Sequence, residues 1–142
     1  MSSVHALSIT IYEALERIID RSFLLPAIQR KFVWKSEQIE TLFDSIMRGY
    51  PINSFMLWEI KDDQIKAEHK FYEFLKDYRE YFKDENPYIN TKGFKDFFAI
   101  VDGQQRLTSL YIGLKGTYAY KMPRKWYIDC EEIFQLDISI WI

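Results

Sequence analysis

Five consecutive residues, Asp102-Gly103-Gln104-Gln105-Arg106, join side-chain types suited to handling a phosphate. They follow the apolar run 97–101 and precede a stripe of Leu107, Leu110, Tyr111 and Leu114, the pattern of a buried strand, a tight turn and an amphipathic helix. A helix start presents unpaired backbone N–H groups and the positive end of the helix dipole, so it suits an anion. Gly103 lets the backbone approach a ligand closely. Arg106, one turn in, could lay a planar fork of donors on a phosphate. Gln104 and Gln105 can hold a water or a ligand oxygen without adding charge, and Asp102 suits a Mg²⁺ ion or an attacking water. A plainer reading uses the same residues: Asp102 with Gln105 as a capping box, and Arg106 paired with a surface acid. The turn is no P-loop, since the Gly-Lys-Ser/Thr ending is missing.

A second cluster, residues 25–34, ends a short extended segment with Gln29, Arg30 and Lys31, then Phe32 and Trp34. Such a strand end could clamp phosphate and stack a base; equally, its rings could plug the core while its charges face water. His5 and His69 stand in no metal-ligand spacing and have no serine or cysteine partner nearby. Cys130, the single cysteine, reads as a small buried residue. The pairs Asp62-Asp63 and Glu131-Glu132 read as solvated faces, and the basic run 121–125 as a turn or a phosphate patch.

The elements that must position these clusters show in the apolar spacing. Residues 10–19 form a helix, with Thr10 and Glu13 as a capping-box pair and Ile11, Leu15, Ile18 and Ile19 on one face. Residues 23–28 are extended, and Pro26 argues for an edge strand or a strand end. Ser36 is the expected N-cap of a second helix carrying Ile39, Leu42, Phe43, Ile46 and Met47, with Gly49 as its C′ glycine. Residues 51–54 make a turn and 55–60 a buried strand. The stretch 62–82 is expected to be helical, with Phe71, Leu75, Tyr78 and Phe82 on one face. Residues 84–95 form a loop, Gly116 stops the helix after the glutamine pair, and 117–120 and 126–129 are further strand candidates.

At 142 residues the chain is the length of one domain, expected to span 1–142, with 48% hydrophobic and 28% charged residues. The aromatic share, 18%, reads as core and rim material or as platforms for bases. A net charge of −2 gives no general pull toward DNA or an anionic membrane. One cysteine excludes an internal disulfide. The start lacks a signal-peptide pattern and no apolar run approaches membrane-spanning length, so the cytoplasm is the expected location. The apolar end, Ile138 to Ile142, leads us to expect that the natural protein continues, with this chain as its N-terminal part.

Three segments together, Pro26 to Ile39 with Gln29 and Arg30, Asp44 to Pro51, and Val101 to Thr108 with the Asp-Gly-Gln-Gln-Arg run, resemble the N-terminal domain of GmrSD-type restriction proteins. The resemblance covers roughly residues 23–120. It implies an α+β fold of the ParB/sulfiredoxin-like type, a small mixed sheet with flanking helices, and a place in prokaryotic defence against phage with modified DNA. It also implies nucleoside-triphosphate binding and hydrolysis with Mg²⁺, gating a nuclease. Asp102, Gly103, Gln104, Gln105 and Arg106 would carry that role, Thr108 would join the nucleotide site, and Gln29 and Arg30 would be the companion motif. Ile28 stands where the family often has Tyr. Full-length relatives commonly continue into a His-Asn-His nuclease domain, and with two histidines and no such motif this chain is expected to hold no complete nuclease site of that kind.

Two further readings stand beside the nucleotide module. A DNA-recognition module would use the same basic and aromatic clusters. A catalytically silent interaction domain would dock a partner subunit or the missing C-terminal region.

Overall fold

Helix formation begins where a side chain first satisfies the free backbone donors. The computed structural model of the protein describes residues 8–28, 31–80 and 82–119. Helix α1, Ile11–Ile19, starts at Thr10 with the expected capping box: the Thr10 hydroxyl accepts the Glu13 N–H, and the Glu13 carboxylate accepts the Thr10 N–H. Strand β1, Phe23–Pro26, follows. Helix α2, Ser36–Met47, begins one residue earlier than expected, because Lys35 is the N-cap. Gln38 Oε1 accepts the Lys35 N–H at 2.9 Å, but an ammonium has no lone pair to return the bond. Gly49, at φ +75°, ends the helix as expected.

Strand β2, Met56–Ile60, leads into the short helix α3, Asp63–Glu68. The helix expected over 62–82 stops there. Phe71–Tyr72 is strand β3, Asp77–Arg79 is β4, and Tyr88–Ile89, inside the expected loop, is β5. Strand β6, Phe97–Asp102, runs into helix α4, Gln104–Lys115, and Thr117–Ala119 forms β7. The strand expected at 126–129, the basic run 121–125 and Cys130 lie outside the described residues.

The sheet has the order β2-β6-β1-β3-β5, and β4 pairs with β7 in a separate two-stranded ribbon. Four helices and a mixed sheet make this an α+β fold, as expected. β1 is therefore an inner strand, and of the two places expected for Pro26 only the strand end is correct. β2 is an edge strand rather than a buried one: Met56 and Trp58 are exposed and only Ile60 is fully covered.

Side chains alternate across the sheet. Phe23, Leu25 and Ile100 face the main core, built with Leu15 and Ile18 of α1, Leu42 and Phe43 of α2, and Leu107 and Leu110 of α4. Leu24, Ile60, Phe71, Phe97 and Ala99 face the other way, into a smaller cluster with Ile65 of α3 and Phe94. No helix among the described residues is long and apolar enough to cross a membrane.

One pairing places the site. β1 and β6 are parallel, with Phe23 opposite Phe98, so the segments leaving both strands emerge at the same end of the sheet. β2 runs antiparallel to β6 with Met56 opposite Asp102, which brings the segment before β2 to that end as well.

Candidate functional site

At this end of the sheet lies an open cleft of about 450 Å³, lined by Ile28, Trp34, Val101, Asp102, Gly103, Gln104, Gln105 and Arg106. Ligands of open sheets characteristically bind at the carboxyl ends of parallel strands. The strand–turn–helix expected from the sequence is in place, and Trp34 from the second cluster reaches the same cleft. Gln29 and Arg30 lie outside the described residues. Thr108 is buried and does not line the cleft.

Gly103 is the N-cap of α4, with φ +90° in the left-handed region. That conformation turns the chain sharply from strand to helix and favours glycine. The Asp102 carboxylate is exposed and accepts the Gly103 N–H at 2.9 Å. The capping box considered for Asp102 and Gln105 does not form, because Gly103 occupies the cap and Gln105 points elsewhere. The backbone N–H groups of Gln104, Gln105 and Arg106 find no acceptor among the described residues. Three donors at the positive end of a twelve-residue helix thus border the cleft.

The side chains of the turn are engaged with its surroundings. Gln104 Nε2 donates to the Ile100 carbonyl at 2.7 Å. Gln105 accepts the Val33 N–H and donates to the Lys31 carbonyl, both at 3.1 Å. Arg106 donates to the carbonyls of Ile52 and, at 3.0 Å, Ser54, and its guanidinium lies 4.7 Å over the Phe55 ring. Its partners are backbone carbonyls, so the surface-acid pairing weighed for Arg106 is absent from the described residues.

The segment 31–35 is braced from behind as well. Lys35 and Lys31 form ion pairs with Glu80 and Glu85, and the Tyr118 hydroxyl donates to Glu80 at 2.8 Å. The hydrogen bond from Lys35 holds the Glu80 carboxyl below its usual range, aided by Tyr118. Burial, then the bond to Glu80, pushes the Tyr118 hydroxyl up.

The residues 51–55 were not singled out as part of the site. Ile52 and Ser54 contribute main-chain oxygens, which leave no side-chain signature, and Phe55 reads as ordinary strand material. His69 packs edge-on against Trp58, and no group of three His, Cys, Asp or Glu able to hold a metal occurs among the described residues. A second depression, of about 370 Å³ and lined by Arg21, Glu73, Asp77 and Tyr111 among others, includes none of the expected site residues.

Two comparisons bear on this arrangement. Residues 11–140 match the family model described as "GmrSD restriction endonuclease, N-terminal domain". The chain is also 28% identical over 134 residues to Uncharacterized protein MJ0686 of Methanocaldococcus jannaschii, an alignment covering 89% of this chain and 21% of that protein. The chain thus spans about a fifth of the length of the curated relative it matches.

Proposed function

This chain belongs to the family of GmrSD restriction endonuclease N-terminal domains, a restriction-system module, and from that premise we propose that its cleft binds a nucleoside triphosphate and hydrolyses it. The observation that carries the reading is the start of α4: three backbone N–H groups without acceptors among the described residues, beside a left-handed Gly103, at the rim of an open cleft. Phosphate oxygens are the natural acceptors for such donors. Trp34 and the exposed Ile28 supply an apolar wall for a base or sugar.

Asp102 uses one carboxylate oxygen on Gly103, which leaves the other for a cation. A single carboxylate fits Mg²⁺, which commonly arrives with substrate phosphates, keeps several waters and needs only one or two protein oxygens. The bound ion would offset phosphate charge. Asp102 would hold it, the N–H groups would orient the phosphate chain, and the oxygen of the Gln104 amide, which has no partner among the described residues, would steer a water.

In a longer parent protein the turnover would gate a nuclease acting on modified DNA. The test is calorimetry and thermal shift with Mg²⁺ and a panel of nucleoside triphosphates, followed by phosphate release. Binding should stabilise the fold by about 2.7 kcal/mol at one hundred times Kd. It should also move the amide resonances of Gln104, Gln105 and Arg106, and Asp102→Asn should lower phosphate release. The absence of any shift with every triphosphate overturns the reading and turns attention to duplex DNA, whose binding would weaken steeply with salt.

A further inference from the structure

We infer that Arg106 and Gln105 are positioning residues, which fasten the two segments walling the cleft to the start of α4 and do not themselves grip the ligand. For its ligand this inference rests on the nucleotide reading above, but the fastening itself is a property of the ligand-free chain.

The Arg106 fork is turned toward the segment 51–55. One terminal nitrogen donates to the Ile52 carbonyl and the other to that of Ser54, while the guanidinium plane covers Phe55. The two gripped carbonyls flank Asn53, which sits at φ +67°, a left-handed conformation that asparagine tolerates better than most residues. Arg106 therefore fixes both sides of that turn. The Phe55 ring in turn lies against Gly103, so the wall and the helix start form one packed unit. Swinging the guanidinium onto a phosphate would give up two hydrogen bonds and the ring contact together.

Both ends of the Gln105 amide are engaged. Its amide oxygen takes the Val33 N–H and its amide nitrogen serves the Lys31 carbonyl. The segment it holds is pinned from the far side by the Lys35–Glu80 pair and by the Tyr78 hydroxyl, which donates to the Phe32 carbonyl at 3.5 Å. The amide is a strut between α4 and a braced wall.

A contact to the terminal phosphate and a fastening role respond differently to the choice of nucleotide. A side chain that touches the terminal phosphate matters most for a triphosphate, whereas one that shapes the wall matters equally for a diphosphate and a triphosphate. Lysine can replace arginine as a point charge on phosphate, but it lacks the planar fork that reaches two separate carbonyls while lying over a ring.

The experiment compares wild type, Arg106→Ala, Arg106→Lys and Gln105→Ala, each checked for native circular dichroism. Backbone amide order parameters and amide exchange are followed without ligand, and affinities for one nucleoside diphosphate and its triphosphate are measured with Mg²⁺. We expect the order parameters across 52–55 to fall in both Arg106 variants, and exchange at Val33, whose N–H Gln105 accepts, to rise at least tenfold in Gln105→Ala. We expect each variant to weaken the two nucleotides by the same factor, with Arg106→Lys no better than Arg106→Ala. Unchanged order at 52–55 or unchanged exchange at Val33 in the respective folded variant overturns the inference, as does any loss, for one nucleotide or both, that lysine restores. If wild type binds neither nucleotide, the nucleotide reading falls, and the ligand-free measurements alone decide the fastening role.

Discussion

The ring of Phe55 fills the space that a side chain on Gly103 would need: a Cβ there would lie 2.3 Å from Phe55 Cδ1. Position 103 is restricted twice, by its left-handed φ and by this ring. Gly103→Ala should therefore cost about 3 kcal/mol, roughly 1 for the backbone conformation and the rest from overpacking. Urea unfolding measures it. Adding Phe55→Ala should return part of the loss, since the two residues share one space. Strictly additive costs would show that the ring is not the obstacle.

Thr10 and Glu13 complete a reciprocal cap at the start of α1. Thr10→Ala should destabilise the protein by about 1 kcal/mol, and Thr10→Asn by much less, because asparagine can accept the same N–H. Equal losses in the two variants would indicate that the hydroxyl does more than cap.

Lys66 is almost completely covered, with its ammonium on the Phe94 carbonyl at 2.9 Å and Asp96 at 2.7 Å. Asp96→Ala leaves that charge half-partnered and should cost about 2 kcal/mol. This is less than the ~3–5 typical of fully buried pairs, because the Asp96 side chain is 60% exposed. Lys66→Met, which removes the charge and keeps the packing, should cost less than Asp96→Ala in the same denaturation assay. The reverse order would mean that the aspartate matters mainly outside this pair.

Glu80 links the segment 31–35 to β7 through Lys35 and Tyr118. Its folded carboxyl is held low by Lys35, so its stabilising contribution is complete above the ordinary glutamate range and is lost as pH falls through the lowered value. Tyr118 has the opposite sign: its hydroxyl is pushed up, and its contribution fades as pH rises above the ordinary tyrosine range. Unfolding free energy measured across pH should fall less steeply on the acid side in Glu80→Gln than in wild type. An acid limb of unchanged slope would remove Glu80 as its source.

Where local signals and tertiary packing agreed, the sequence was easy to read. α1 has its cap and one apolar face, and the strand–turn–helix around Gly103 combines an apolar run with a helical stripe. The family resemblance drawn from the motifs holds for residues 11–140. The stretch 62–82 misled because Phe71, Leu75, Tyr78 and Phe82 recur at helical spacing. In the fold Phe71 belongs to the cluster on one side of the sheet, Leu75 and Tyr78 to the core on the other, and Phe82 is exposed. No single helix face could serve both sides, and only the sheet decides between them. The site was half visible for a similar reason: residue types at 102–106 announce polar chemistry, but not that two of the side chains would be committed to main-chain atoms of distant segments.

Those commitments span long stretches of chain. Gln105 meets Lys31 across 74 residues, and Arg106 meets Ser54 across 52. Loops of that size close slowly, because much chain entropy is lost before any contact rewards it. During synthesis the first two walls of the cleft emerge well before the helix that joins them. A ribosome-bound chain ending at residue 100 therefore has the material for both walls and no site, because the helix start that fastens them has yet to be made.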